Sequence, residues 1–374
     1  MAIELKSLSL RGYKTYRDLE IFEPGRITVL VGANGAGKSN LISFFRLLYR
    51  MTASPGELQL AIADAGGAGK LLHDGTKKTD AIRAHIVLST EQGTNEYEAR
   101  LSFAAPDRLV FAEEKCRYLK VGFSKAKELD FGSAHSESKL VESAFGGTED
   151  TARVVRNLLR KCQAYQFHDT SFTSGMRQRS DLSHSLFLDP DGSNIAAFLH
   201  RLANGGQVER LAAKRIQDTA RLVLPFLGEL VLDTPNGSIL LQWRERGTDR
   251  IFDASQASDG MLRILALTTL LCQPTSALPS IILLDEPELG LHPQAIALLA
   301  SMIRQASHHA QIVVATQSVP LLDEFSLGEI VVARRSGRET ILERLKEEDY
   351  AEWLKEYTAG ELWRKNVLGG GPGE

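Results

Sequence analysis

The chain has 374 residues, 43% hydrophobic and 24% charged, with a formal net charge of −3. That length holds one large core or two domains. The charge balance excludes a global basic field for nucleic acid and leaves only a local patch for such a contact. Three widely spaced cysteines without C-x-x-C spacing argue against a disulfide framework or a zinc site, and no signal pattern or membrane-length apolar run is present, so a cytoplasmic protein is expected.

Residues 3–10 and 19–31 read as strands around a turn at Arg11-Gly12-Tyr13. The second run ends in Gly32-Ala33-Asn34-Gly35-Ala36-Gly37-Lys38-Ser39, which matches the pattern G-x-x-x-x-G-K-[ST] at every fixed position. Leu41–Leu48 then reads as a helix that ends before Pro55-Gly56. Strand, glycine-rich loop and helix start are the context phosphate binding requires. The glycines let backbone N–H groups curl around phosphate oxygens, and the helix N-terminus adds a positive dipole end. Asn34, Gly35, Ala36, Gly37, Lys38, Ser39 and Asn40 are the expected nucleotide contacts, with Lys38 on the outer phosphates and Ser39 on Mg²⁺.

Residues 56–80, rich in Gly, Ala and Asp, read as a loop. Within it, Gly66-Gly67-Ala68-Gly69-Lys70-Leu71 imitates a second phosphate loop. It lacks the Ser or Thr after lysine and the spaced first glycine, and reads as a surface loop. Four β-like runs follow, Ala84–Ser89, Tyr97–Phe103, Leu109–Ala112 and Arg117–Val121. They are separated by turn sequences and predict an antiparallel sheet inserted after the first helix. Residues 123–150 are polar and Ser/Gly-rich, the composition of a partly mobile segment.

Helices are expected over 150–161, Ile195–Leu202 and Val208–Leu224, with a turn-rich stretch at 169–194 and a strand at Ile239–Trp243. From 258 onward the pattern is α/β. Gly260–Leu271 and Pro293–Ala306 read as helices; Ile281–Leu284, Ile312–Ala315 and Ile330–Ala333 read as buried strands. The tail Glu347–Trp363 reads as one or two helices, and Gly369–Gly373 as a frayed end.

Ile281–Leu284 delivers Asp285 and Glu286 to the carboxyl end of a strand, where open α/β sheets bind ligands. Asp285 is placed to hold Mg²⁺ and Glu286 to polarise an attacking water. Three weaker pieces join them. Ser258-Asp259-Gly260 opens a helix and offers Ser258 and Gly260 to phosphate oxygens. Gln317, after the strand at Ile312–Ala315, is placed to touch a γ-phosphate. Gln166 is offered to the metal or its water.

In this order the pieces resemble the ATP-binding-cassette branch of P-loop ATPases, and more closely the SMC/RecF-like and OLD-like ATPases often filed as AAA family ATPases, in a short form without coiled coil. The resemblance is carried by Leu10–Tyr16, Gly32–Asn40, Phe167–Ser171, Ser258–Met261, Asp285–Pro293 and Ala315–Ser318, and covers most of residues 1–335. Its most specific marker is the Glu-Pro-Glu…Leu-His-Pro run at 286–293. The resemblance implies an α/β ATPase head with a mixed central sheet, an inserted antiparallel β subdomain and a helical lobe. The implied boundaries are 1–165 (insert about 80–125), 166–257, 258–345 and a helical tail at 346–374.

It also implies a dimeric switch using ATP and Mg²⁺, with ATP sandwiched between the phosphate loop of one head and Ser258 and Gly260 of another. Glu286 and Gln317 would be catalytic, and Ser39, Gln166 and Asp285 would hold the metal. Glu288 to His292 would run along the dimer interface, with His292 alternatively a simple helix cap or packing residue, and adenine would meet residues from Arg11 to Tyr16, with Tyr13, Lys14 or Tyr16 stacking or capping it or, alternatively, each serving only as an edge-strand residue. Gln317 stands where many relatives carry histidine. The implied partners are a second copy or a higher oligomer, a separate effector such as a nuclease, and a DNA backbone, in bacterial defence or DNA repair, with no membrane.

The competing readings are the ATP-hydrolysing subunit of a membrane transporter and a small-molecule kinase. Against the first stand the Glu-Pro-Glu…Leu-His-Pro run and Met261-Leu262 where transporters carry glutamine; against the second stands the signature at Ser258. Arg153, Arg156, Arg160, Lys161, Arg177 and Arg179 form either a basic patch for a nucleic-acid backbone or a solvated helix face and loop. The acidic, aromatic tail at 347–355 either docks a partner or packs on its own head.

Overall fold

In the computed structural model, residues 3–146, 150–232 and 237–371 are described. The N-terminal half runs β1 (Ile3–Tyr13), β2 (Tyr16–Phe22), β3 (Ile27–Val31), α1 (Lys38–Met51), α2 (Glu57–Asp64), α3 (Ala68–Leu71), β4 (Ala81–Thr90), β5 (Gly93–Ala104), β6 (Arg108–Lys120), β7 (Lys127–Asp130), α4 (Lys139–Phe145), α5 (Asp150–Leu159) and β8 (Cys162–Tyr165). A mixed stretch follows, with two helices among short strands rather than a purely helical lobe: β9 (Ser180–Asp181), α6 (Ile195–Asn204), α7 (Gln207–Ala220), β10 (Leu227–Val231), β11 (Ser238–Ile239), β12 (Gln242–Glu245) and β13 (Ile251–Asp253). The chain closes with α8 (Asp259–Cys272), β14 (Ile281–Asp285), α9 (Pro293–Ser307), β15 (Gln311–Thr316), α10 (Val319–Leu322), β16 (Ile330–Ser336), β17 (Glu339–Arg344) and α11 (Ala359–Arg364).

The central sheet has the order β17-β16-β3-β15-β14-β8, parallel throughout except for the β16–β17 hairpin. Its inner strands are buried on both faces, so they read as continuous apolar runs rather than alternating ones. Alternation still sorts the side chains. Val29, Ile282, Leu284, Ile312 and Val314 enter one core with α6, α8 and α9. Leu30, Ile281, Leu283, Val313 and Ala315 enter another with α1. Full burial of each such Val, Leu or Ile side chain contributes about 2 kcal/mol.

The second core lies beneath an antiparallel sheet of order β2-β1-β4-β5-β6-β7. That sheet is not only an insertion: β1 and β2 form one side of it, paired through β1 to β4. The turn between β1 and β2 is at Lys14-Thr15 rather than 11–13, and Pro24-Gly25 separates β2 from β3 within the run expected as one strand. The runs 109–112 and 117–121 belong to one strand, β6. The sequence signal breaks there because Glu114 is buried inside the strand, accepting hydrogen bonds from Tyr97 Oη at 2.8 Å and Lys139 N at 2.8 Å.

Further expectations are corrected. The 56–80 loop contains α2, whose Leu58, Ala61 and Ile62 form a buried stripe at helical spacing, and the 66–71 glycine cluster leads into α3, which buries Leu71. The polar segment 123–146 holds β7 and α4; residues 147–149 of that segment lie outside the described residues. The Ile239–Trp243 strand is divided between β11 and β12, which belong to different sheets. The tail forms two single 3-10 turns (Glu347–Tyr350 and Trp353–Lys355) before α11, which begins with a capping box between Thr358 and Glu361. Among the described residues, no helix is long and apolar enough to cross a membrane.

Candidate functional site

Parallel β3, β14 and β15 end side by side, so the loops after Val31, Asp285 and Thr316 meet at one edge of the central sheet. The phosphate loop lies there under tight constraint. A Cβ on Gly32 would fall 2.2 Å from Ala333 O. Gly37 adopts φ 103 as the N-cap of α1, and a Cβ there would fall 2.0 Å from Thr340 Oγ1. Gly37 supplies no side-chain cap; Asn40 N turns back to Gly37 O at 3.0 Å, and the N–H groups of Lys38 and Ser39 at the helix start are left for an anion. From outside, Thr340 Oγ1 donates to Ala36 O at 2.8 Å, Asn40 Nδ2 to Thr15 Oγ1 at 2.9 Å and Arg335 to Gly35 O at 3.2 Å. Thr340 and Arg335 are loop supports that motif reading does not reveal.

Lys38 folds back on its own loop, with Nζ donating to Gly32 O at 2.6 Å and to Ala33 O at 3.2 Å. Burial lowers its pKa, opposed by the nearby carboxylates of Glu286, Asp285 and Glu288. Ala33 is held from its other side: its N–H donates to Gly370 O at 2.9 Å. The end expected to fray is therefore docked under the phosphate loop as far as it is described, with Leu368 and Gly370 buried; residues 372 and 373 lie outside the described residues.

Asp285 gathers the oxygen donors. Ser39 Oγ donates to its Oδ1 at 2.9 Å, and Gln166 Nε2 reaches its Oδ2 at 3.4 Å. His168 fixes this corner. Its Nε2 lies 2.8 Å from Asp285 O, which only accepts, so Nε2 carries the proton and Nδ1 accepts from Gln166 Nε2 at 2.8 Å. With its Nε2 so engaged, Gln166 leaves Oε1 for a cation. The hydroxyl of Ser39, the carboxylate of Asp285 and this amide oxygen are the hard donors that suit Mg²⁺. Motif spacing alone assigns His168 no role.

Glu286 follows at φ 42, a left-handed conformation rare for a non-glycine residue. Its N–H donates to Ala315 O at 2.8 Å, and its Oε1 accepts from Gln317 Nε2 at 3.2 Å. Glu288, expected on an interface, instead points inward at 8% exposure and bonds Thr316 Oγ1. Burial pushes its pKa up to about 7. The outward part of that run begins at Leu289 and includes Gly290 and His292, whose Nδ1 accepts from Gln294 N at 3.4 Å as a helix cap.

Ser258 caps α8, its Oγ accepting from Met261 N at 3.2 Å. With Gly260, Gly290 and His292 it lines a separate cleft of about 230 Å³. No hydrogen bond joins Ser258 or Gly260 to the phosphate loop among the described residues. Two arginines tie this signature turn to the metal corner. Arg263 donates to Leu289 O at 3.0 Å and His168 O at 3.1 Å. Arg177 donates to Thr170 O at 2.8 Å and to Asp259 at 3.1 Å.

These contacts also correct the candidate basic patch. The Arg177 side chain is 8% exposed, Arg156 donates to Thr52 O at 2.9 Å, and Arg160 lies over the Tyr49 ring, so they do not form one open stripe. Tyr13 and Tyr16 are buried, with their hydroxyls on Ser43 Oγ and Gly37 O, and offer no ring face to a base; Lys14 is part-exposed and donates to Ser43. Away from the site, His85, Glu96 and Glu98 bring ligating atoms within 4.8 Å of one another on the outer face of the antiparallel sheet, a cluster that sequence reading did not anticipate. Arg117 already engages Glu96 at 3.8 Å.

A family model described as an AAA domain, putative AbiEii toxin, type IV toxin–antitoxin system, matches residues 27–147 and 155–324. No curated protein matches the chain in sequence. Among solved structures, an SMC head bound to the C-winged helix domain of ScpA is 15% identical, with 93% of this chain and 99% of that one covered and a TM-score of 0.60. An SMC head with an extended coiled coil, bound to the C-terminal domain of ScpA and derived from Pyrococcus furiosus, is 14% identical (95% and 99% covered, TM-score 0.56). An SMC head with a coiled coil and joint from Pyrococcus yayanosii is 12% identical (95% and 99% covered, TM-score 0.54). At these identities the shared property is the fold, an SMC-head-like α/β architecture.

Proposed function

We propose, since this chain belongs to the AAA-domain family of the putative AbiEii toxin, that it binds ATP with Mg²⁺ and hydrolyses it, and that hydrolysis switches the association of two heads. The observation that carries the reading is the convergence of Ser39 and Gln166 on Asp285, with Glu286 and Gln317 bonded to each other beside it. Bound Mg²⁺ would neutralise charge on the phosphates. Ser39, Asp285 and Gln166 would hold it, Lys38 would leave the carbonyls of Gly32 and Ala33 for the phosphates, and Glu286 would accept a proton from the attacking water while Gln317 orients it.

Ser258 and Gly260 would complete the site of a second copy, since each stands apart from its own phosphate loop. In this reading residues 1–165, 166–257 and 258–345 are the working lobes, and 346–374 is a tail. The output would pass to a separate effector such as a nuclease, or to DNA. The SMC heads described with ScpA domains support a protein partner, and the toxin description of the family supports a defence role. Three buried free cysteines suit a reducing cytoplasm. The family match does not favour a transporter subunit.

The test is ATP turnover per molecule as protein concentration rises from very dilute, with mass measured on the same samples. A specific rate that climbs and saturates as dimers form is expected. A substantial rate from a verified monomer would sink the composite site.

A further inference from the structure

We propose that Glu288 is a positioning residue: bonded to Thr316, it holds Glu286 in the left-handed backbone conformation from which Glu286 meets Gln317. The inference rests on the reading of Glu286 as the base. Three ties close a ring between the ends of β14 and β15. Glu286 N donates to Ala315 O at 2.8 Å, Gln317 Nε2 donates to Glu286 Oε1 at 3.2 Å, and Thr316 Oγ1 donates to Glu288 Oε1. The Thr316 hydroxyl is itself aimed, because it accepts from Ser318 N at 2.9 Å and has its own proton left for Glu288.

A left-handed glutamate persists only where its surroundings over-determine it. The backbone bond and the Gln317 bond act on Glu286 itself. The Glu288 bond anchors the far side of the turn, where Leu289 N donates to Glu286 O at 3.2 Å. Glu288 is 8% exposed, and its second oxygen, Oε2, is buried without a hydrogen-bond partner. A buried carboxyl used through one oxygen is a mechanical tie that needs an acceptor and no ionic charge.

The experiment compares Glu288→Gln, Glu288→Ala and Thr316→Val in steady-state ATP turnover. Glutamine keeps the acceptor oxygen, so Glu288→Gln is expected to retain kcat to within about 3-fold. Glu288→Ala is expected to lose about 100-fold in kcat, the scale of a misplaced reacting group, with KM for ATP unchanged. Thr316→Val should match it, and the double variant should be no worse than either single one. If Glu288→Ala does not fold, Thr316→Val carries the test. Near-normal kcat in Glu288→Ala or Thr316→Val would overturn the proposal, as would a Glu288→Gln variant as slow as Glu288→Ala. If the unaltered protein turns over no ATP, the reading of Glu286 as base fails by itself. The backbone at 286 in a crystal structure of Glu288→Ala then decides the positioning claim: loss of the left-handed conformation upholds it and retention overturns it.

Discussion

The Gln317 side-chain amide donates from Nε2 to Glu286 Oε1 at 3.2 Å, across the ends of two adjacent parallel strands. The amide thereby orients the carboxylate itself, while the bonds of Glu286 N to Ala315 O and of Thr316 to Glu288 hold the turn that carries it. Glutamine suits the position because its amide can donate without carrying a charge.

Glu286→Gln removes the base while keeping the volume and one hydrogen-bonding oxygen. The variant should bind ATP normally and turn it over at least ~100-fold more slowly. Turnover near that of the unaltered protein would remove Glu286 from the chemistry. Lys38→Ala should lose ATP binding itself, read by titration calorimetry, because no other lysine reaches the loop carbonyls that Lys38 occupies among the described residues.

Ser258→Arg blocks the signature, and Lys38→Ala blocks the phosphate loop. Each variant alone should be inactive. Mixed in equal amounts, half of the dimers pair the two variants and each such dimer has one intact composite site, so about a quarter of normal activity should return. No recovery on mixing, with dimers verified by mass, argues that each chain carries its own complete site.

Gly370 sits at φ 67, and a Cβ there would fall 2.7 Å from Val332 Cγ1 and 3.1 Å from Ala333 O. Gly370→Val should therefore undock residues 369–371 from Ala33 and leave the rest of the fold. The expected readout is a change of about 3-fold or more in ATP affinity, the scale of one hydrogen bond, with little change in melting temperature. Unchanged affinity would mean the docked tail only rests beside the loop.

Burial raises the Glu288 pKa from 4.5 to about 7. Its folded form therefore holds a proton that the unfolded chain has released between those values. The resulting stability is complete below about pH 4.5 and is lost as pH rises through about 7, on the order of 3 kcal/mol in all. Glu288→Gln cannot titrate, so its denaturation midpoint should gain on that of the unaltered protein between pH 5 and pH 8. Parallel curves for the two proteins would show that Glu288 does not ionise in this window.

The sequence by itself determined the chemical parts and their order. The phosphate loop is legible because glycine, lysine and serine are needed at fixed spacing there, and the acidic strand end because a fully apolar run stops at two carboxylates. The central strands are legible as short continuous apolar runs, α8 as an apolar run too long for a strand, and α1, α5, α6 and α9 because each repeats a helical period of burial. What the tertiary structure decided are relationships with no local period. The strands β1 and β2 join an antiparallel sheet completed only by β4–β7. Glu114 is buried inside a strand by partners 17 to 25 residues away. Gly370 meets Ala33 across nearly the whole chain, and Glu288 turns inward to Thr316 while its neighbour Leu289 turns outward. Local patterning reports which face of an element is apolar. Which polar group closes which distant hydrogen bond depends on packing, since a buried donor or acceptor must be satisfied by whatever the fold brings beside it.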